Sequence, residues 1–454
     1  MKLIKYKQIY EKDINNLTGK AAAIVYPESD EEIIKLVKSS NSDLIVRGGG
    51  TSFTGALIPN NSIIIDMSKK DKILELNLER KTIYIESGVI LQDLNDKLKK
   101  YNLEFPIQAF FPKLETIGGM IAKNSCGSRE IKYARMMNWV ESLEVINGKG
   151  ELIKVPKSDL SEFIGMEGIT GIILWANLRL TSIKKRTLSI LKSESLSEIF
   201  KANKKLRLSQ EIASIDLFDK DLSKLLGFER KYHLFIEYES ESGLFKDKDY
   251  EKFIAVKQEA YKKIAAEGYV LVENSKIFMD SLEDFTIYLE KNSIPFYANF
   301  SSGVFYSFFK ENSIANQKEL CNFVKKLKGK VSYCFGIGLL KKEYLDAGEQ
   351  IIIKRVKDRH DPNWKFNRNK LIDINLKIDD LEQEIEKVEQ EIDKDENKDV
   401  DMIENQQEQS SLITEEKQTQ LFKESQPKKE LSHEEKEKIK KIAFGFFGGD
   451  RKWI

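Results

Sequence analysis

The sequence predicts an α+β chain in which two successive domains are followed by a short coiled coil and a disordered tail. Three observations carry this reading. Short apolar runs of strand length alternate with helix-length amphipathic stretches as far as Lys370. Three glycine clusters fall within residues 1–182. Beyond Lys370 the composition shifts abruptly, first to a charged heptad pattern and then to a polar stretch with no core pattern.

A chain of 454 residues, 41% of them hydrophobic, is long enough for two or three domains with real cores. With 74 basic and 73 acidic residues it carries no global field that would favour nucleic acid or an anionic membrane. The stretch from Met1 to Lys7 has no uninterrupted apolar core of the signal-peptide kind, and no later segment reaches spanning length. A soluble cytoplasmic protein without a transmembrane segment is expected. The three cysteines, Cys126, Cys321 and Cys334, are widely separated, which argues against a disulfide framework and against a cubane cluster held by this chain. His233, His360 and His433 form no close ligand pair, so no metal site is expected.

Taken in order, residues 22–27 read as a strand and 30–37 as a helix capped by Ser29 or Asp30, with carboxylates in its first turn. The runs at 44–46 and 63–65 read as strands on either side of a loop, Arg47-Gly48-Gly49-Gly50-Thr51-Ser52-Phe53-Thr54-Gly55. Adjacent glycines let consecutive N–H groups converge on an anion, with the Thr51, Ser52 and Thr54 hydroxyls and the Arg47 charge beside them. A glycine-rich turn beside a strand is as readily plain geometry as a ligand site. P-loop and G-x-G-x-x-G spacings are both absent from this stretch. Residues 81–88 then read as a strand and 91–98 as a helix.

A second cluster follows from Thr116 through Gly118, Gly119, Asn124 and Cys126 to Gly127 and Ser128, and a third from Gly165 through Glu167, Gly168 and Gly171 to Ile172. Each could be a close-packed turn, and each could let the backbone touch a flat ligand.

The order and spacing of these clusters resemble the FAD-binding domain of PCMH-type flavoproteins of the vanillyl-alcohol oxidase family, in the branch of D-lactate dehydrogenase, glycolate oxidase and D-2-hydroxyglutarate dehydrogenase. The resemblance covers residues 20–182 and implies a two-subdomain FAD-binding domain at 1–182 and an α/β substrate cap at 183–370. It implies non-covalent FAD, with Gly48, Gly49, Gly50, Thr51, Ser52 and Gly55 around the pyrophosphate and Arg47 at the loop mouth. Gly118, Gly119, Asn124 and Gly127 would line the flavin side, and Glu167, Gly168, Gly171 and Ile172 the remaining wall.

In the second domain, strands are expected at 212–217, 232–239 and 301–309 and helices at 251–266, 281–291 and 316–328. Hydroxyacid-oxidising relatives carry a histidine-rich metal and base segment here; this chain has Asn299 to Tyr306 and Cys334-Phe335-Gly336-Ile337-Gly338 instead. Tyr306 and Cys334 stand on those positions and are the candidate catalytic residues, with core filling as the competing role. His233, in an apolar strand, reads as a structural histidine. No arginine occurs between Lys231 and Lys354 to clamp a carboxylate substrate.

Leu371, Ile374, Ile378, Leu381, Ile385, Val388 and Ile392 repeat at heptad spacing, giving a coiled-coil helix at 371–392. Residues 393–430 read as a disordered linker, and 431–454 as a docking segment with a capping box at Ser432 and a cluster of aromatics at its end. Partner docking is the favoured role of that segment, with packing back on the same chain a close second. The resemblance implies as partner an iron–sulfur electron-transfer subunit or a homologous flavoprotein subunit. As a whole it implies an FAD-dependent oxidoreductase acting on a small-molecule, hydroxyacid-like CH–OH donor, with a non-catalytic FAD-binding subunit as the alternative.

Overall fold

In a computed structural model, residues 2–4, 8–311, 313–383 and 385–386 are described. They fall into two compact units, Met1–Leu345 with Ile352–Leu376, and Asp346–Ile351 with Lys377–Ile454. Among the described residues the second unit contributes the first turn of a helix at Ala347–His360 and a short helical stretch from residue 378.

The first unit is built on three main sheets. Strands β1 (Lys2–Ile4), β2 (Lys20–Tyr26), β3 (Leu44–Arg47) and β4 (Asn60–Asp66) are ordered β1-β2-β4-β3, with β4 parallel to both β2 and β3. Helix α1 (Asp30–Ser39) makes the crossover, and its Ser29 hydroxyl caps the Glu32 N–H at 3.3 Å. It buries Ile33 and Val37 against Val25, Leu44 and Ile65. This is the strand–helix–strand unit read from the sequence, and the glycine loop leaves the carboxyl end of β3.

The second sheet is antiparallel. It contains β5 (Ile73–Asn77) and β6 (Thr82–Glu86) and, after a short strand β7 (Leu103–Glu104), β8 (Val140–Asn147), β9 (Leu152–Val155) and β10 (Gly171–Arg179). Its order is β5-β6-β10-β8-β9, while β7 pairs with β11 (Thr181–Ser182). Helices α2 (Leu91–Leu98), α3 (Ile117–Ala122) and α4 (Glu130–Tyr133) lie in its connections. Leu91, Leu94 and Leu98 of α2 and Ile117, Met120 and Ile121 of α3 join one apolar core with Ile85, Leu143 and Ala176.

The third sheet is antiparallel and six-stranded: β12 (Thr187–Ser193), β13 (Ile212–Phe218), β14 (Tyr232–Tyr238), β15 (Leu271–Lys276), β16 (Phe296–Asn299) and β17 (Val304–Phe309), in the order β12-β14-β13-β16-β17-β15. Helices α5 (Leu196–Leu206), α6 (Lys220–Leu225), α7 (Asp247–Ala266) and α8 (Leu282–Lys291) connect its strands, and α9 (Ile314–Lys326) follows the last of them; all pack on the sheet. The expected strands and helices of this region are present. Strand β15 escapes the apolar pattern because its buried face is polar: Glu273 pairs with the Lys341 ammonium at 2.7 Å, and Asn274 donates to the Phe305 carbonyl at 3.0 Å.

Two expectations are corrected at the carboxyl end. Residues 352–372 return to the first sheet instead of staying with the cap. Phe366 bridges Leu44, and the buried Lys357 ammonium bonds the carbonyls of Ile169 and Phe366, each at 2.7 Å. The expected coiled coil does not begin at Leu371, which has φ 66° and donates its N–H to the Gly338 carbonyl at 2.9 Å. Leu371 and Ile372 are buried against Met166, Ile169 and Trp364, so these heptad residues are core. Val388, Ile392, the linker at 393–430 and the segment at 431–454 lie outside the described residues. Among the described residues no helix is long and apolar enough to cross a membrane.

Candidate functional site

The three glycine segments converge on one cleft. Gly48 to Ser52 form one wall, Gly118 and Gly119 with Ser87 a second, and Glu167, Gly168 and Gly171 a third, around about 850 Å³ of empty space. Most of these glycines are required by the protein's own packing. A Cβ on Gly49 would stand 1.8 Å from the Leu114 carbonyl oxygen, and one on Gly48 would stand 2.2 Å from Thr116 Oγ1. Gly119 and Gly168, which line the cleft, are less hemmed in, with the nearest atoms to an added Cβ 3.3 and 3.5 Å away, although the φ of 74° at Gly168 itself favours glycine.

Five predicted residues stand outside this lining. Arg47 is buried behind the loop, its guanidinium against Gly50 and 4.5 Å from the Tyr10 ring, so it props the turn from within. Gly55 packs on Leu17 and Leu339, and Asn124 accepts the Met137 N–H. Gly127 faces Gln108, with its carbonyl receiving the Asn299 amide at 2.9 Å. Ile172 points into the α1 core, and its strand neighbour Ile173 lines the cleft, as the alternation of a strand dictates. Sequence reasoning missed Ser87, Glu115, Lys123 and Phe335. The first three sit beside the glycine segments and could have been found there; Phe335 comes from the cap and could not.

Burial pushes Glu167 up to about 7, against the lowering effect of the Ile337 and Gly338 N–H groups that it accepts at 2.5 and 2.9 Å. Burial likewise pulls Lys370 down to about 7, with Asp43 and Glu167 acting the other way; its ammonium is buried with no hydrogen-bond partner among the described residues. Ser87 Oγ, on the cleft wall, is also buried without a partner among the described residues. Glu115 and Lys123, both lining the cleft, form an ion pair at 2.6 Å.

One of the two positions expected to carry the catalysis, Tyr306, faces a second cavity between the helices and loops of the second-sheet subdomain and the cap. Tyr306, on β17, lines it and stacks on Tyr297 with ring centroids 5.2 Å apart. Tyr297 donates to Asp216 at 2.9 Å, while the Tyr306 hydroxyl makes no hydrogen bond among the described residues. Burial, with Glu130 and Asp216 adding to it, pushes Tyr306 far up, so its phenol stays protonated. Phe335 stacks on Phe53 at 4.2 Å, and Phe110 joins both edge-on. Cys334 is not the free thiol expected of a catalytic candidate. It is bonded to Cys126, with the Cα atoms 5.6 Å apart, and only Cys321 is free. The cysteines, far apart in sequence, pair because two distant loops meet in space. His233 is buried with Ser223 and the Lys231 carbonyl, as a structural histidine.

Arginines outside the arginine-free stretch 231–354 are held by the protein's own carboxylates. Arg129 holds Glu237 through two bonds of 2.9 and 2.8 Å, and Arg186 bonds both Glu104 and Glu239. Burial raises the Glu237 carboxyl, but Arg129 outweighs it and keeps the group well below the usual carboxylate range. Among the described residues no group of three His, Cys, Asp or Glu is placed to hold a metal ion.

Residues 21–156, less than half of the chain, match the family model described as an FAD binding domain. Relatives include the mitochondrial D-lactate dehydrogenase [cytochrome] of Arabidopsis thaliana, 33% identical over 36% of this chain and 31% of that protein. They also include D-2-hydroxyglutarate dehydrogenase of Stutzerimonas stutzeri (strain A1501), 28% identical over 45% of this chain and 48% of that protein. Glycolate oxidase subunit GlcD of Bacillus subtilis (strain 168) is 30% identical over 35% of this chain and 36% of that protein. The matches span about half the length of these relatives or less. A solved alkyldihydroxyacetonephosphate synthase shares the fold, with a TM-score of 0.63 and 18% identity, over 81% of this chain and 82% of that one.

The cleft fits FAD on its own geometry. It has three backbone walls, the two less crowded glycines, and the Ser87 hydroxyl, unpartnered among the described residues. The Lys370 ammonium, close enough to the wall residue Glu167 to feel its charge, is also buried without a partner among the described residues.

Proposed function

We propose that the chain is an FAD-dependent oxidoreductase acting on a CH–OH donor of the hydroxyacid type, with electrons leaving to a separate protein. The observation that carries this is the cleft, in which three segments far apart in sequence present their backbones to one space. Gly48 to Ser52 would hold the pyrophosphate, and Gly119, Glu167 and Gly168 the rest of the cofactor. Bound there, FAD supplies the two-electron acceptor. The chain's own residues then have simpler tasks: Phe53, Phe110 and Phe335 exclude water, and the Tyr306 phenol offers a hydrogen bond to the donor's oxygen.

The acceptor fits an iron–sulfur subunit or a homologous flavoprotein subunit docking on residues 431–454, since this chain cannot ligate a cluster with its own three cysteines. A non-catalytic FAD-binding subunit is the second reading. It is favoured by the aromatic packing at Phe335, where hydroxyacid-oxidising relatives carry a histidine.

The experiment is anaerobic absorbance of the FAD-loaded protein mixed with D-lactate, glycolate or D-2-hydroxyglutarate. Bleaching by one of them supports the enzyme. Flavin that stays oxidised with all of them, in a protein that co-purifies with an active homologous subunit, supports the second reading.

A further inference from the structure

The Cys126–Cys334 bond lies where the cofactor cleft, the cap and the second cavity meet. Cys126 closely follows Lys123, which lines the cleft, and itself lines the second cavity. Cys334 immediately precedes Phe335, which lines the cleft from the cap side. The two cysteines are separated by 208 residues and are only 7% and 4% exposed, so the bond belongs to neither sheet alone and is shielded from thiols in bulk solution. Its surroundings are the aromatic groups Phe53, Phe110, Tyr306 and Phe335. A bond whose task is only to fasten the cap could sit anywhere along the contact. The cap is in any case held by Arg129 on Glu237 and by Asn299 on Gly127.

We infer that Cys126 and Cys334 form a redox couple served by the bound FAD. This rests on the reading of the cleft as an FAD site. The disulfide accepts an electron pair and two protons from reduced FAD; the S–S bond breaks, two thiols form, and FAD is returned oxidised. The electron pair originates from the CH–OH donor, and the holoprotein thereby holds a second pair beyond the one on the cofactor.

The test is an anaerobic reductive titration of FAD-loaded, air-oxidised protein, followed by alkylation in denaturant and mass spectrometry. Wild-type protein should take up about twice the reducing equivalents per flavin of the Cys126→Ser, Cys334→Ser double variant, because each couple holds one electron pair. Cys126 and Cys334 should be alkylated after titration of the holoprotein, and not after the same titration of FAD-free protein. Equal uptake in wild type and variant, or labelling that does not depend on FAD, overturns the inference while leaving the FAD site intact. Failure to take up FAD overturns both. Should the double variant not fold, the labelling of wild type with and without FAD decides alone.

Discussion

Glu167 accepts the backbone N–H groups of Ile337 and Gly338 on its two carboxylate oxygens, at 2.5 and 2.9 Å. A single side chain thus joins the third glycine segment to the cap loop that carries Cys334 and Phe335. Because burial lifts this carboxyl to about 7, its effect on stability changes within a mild pH range. The folded-state value lies above the unfolded one, so its contribution is complete below about pH 4.5 and is lost as pH rises through about 7. Urea unfolding at pH 5 and pH 8 should show wild type losing about 1–2 kcal/mol relative to Glu167→Gln across that window, a figure reduced because the carboxyl faces the cleft. A parallel pH dependence in the two proteins would remove Glu167 from this role.

Arg129 and Glu237 form a buried ion pair with Tyr250 also bonded to the carboxylate. Removing one partner leaves the other charge uncompensated, so Arg129→Ala should cost about 3–5 kcal/mol in chemical unfolding. Arg129→Met with Glu237→Leu should recover much of that loss, since two apolar groups leave no buried charge. A double variant as unstable as the single one would show that the pair does more than neutralise itself.

The glycines separate into two kinds that substitution distinguishes. Gly49→Ala drives a Cβ onto the Leu114 carbonyl and should destabilise the fold by about 1–3 kcal/mol. Gly119→Ala lies in α3, where the added methyl group meets only the Thr116 hydroxyl at 3.3 Å, so stability should change by no more than about 1 kcal/mol while FAD affinity falls. Thermal melts and FAD titrations of both variants check this. Unchanged FAD affinity in Gly119→Ala would place the cofactor elsewhere.

Tyr306→Phe removes a hydroxyl that bonds to no described residue, so the melting temperature should stay the same. If the phenol donates to the substrate oxygen, the rate of flavin reduction by the donor should fall by about 100-fold. An unchanged rate would leave Tyr306 as wall.

The first sheet and its crossover were legible because apolar periodicity, the Ser29 cap and the glycine spacing all describe local geometry. The cleft was legible for the same reason, although Ile172 and Gly127 were placed on the wrong wall: a motif gives the segment, and only strand alternation and loop direction give the face. The Cys126–Cys334 bond and the place of Phe335 were not legible, because both depend on the cap closing on residues about 200 positions earlier. Leu371 misled because a heptad-like run of apolar residues serves equally to plug a core.

The measurement that tests the account most directly is a titration of the purified, cofactor-free protein with FAD, followed by protein fluorescence and by the absorbance of the bound flavin. The account predicts saturable binding of one FAD per chain with a dissociation constant of about 1 μM or tighter, weakened in Gly119→Ala. Wild-type protein that melts cooperatively yet binds no FAD would contradict it.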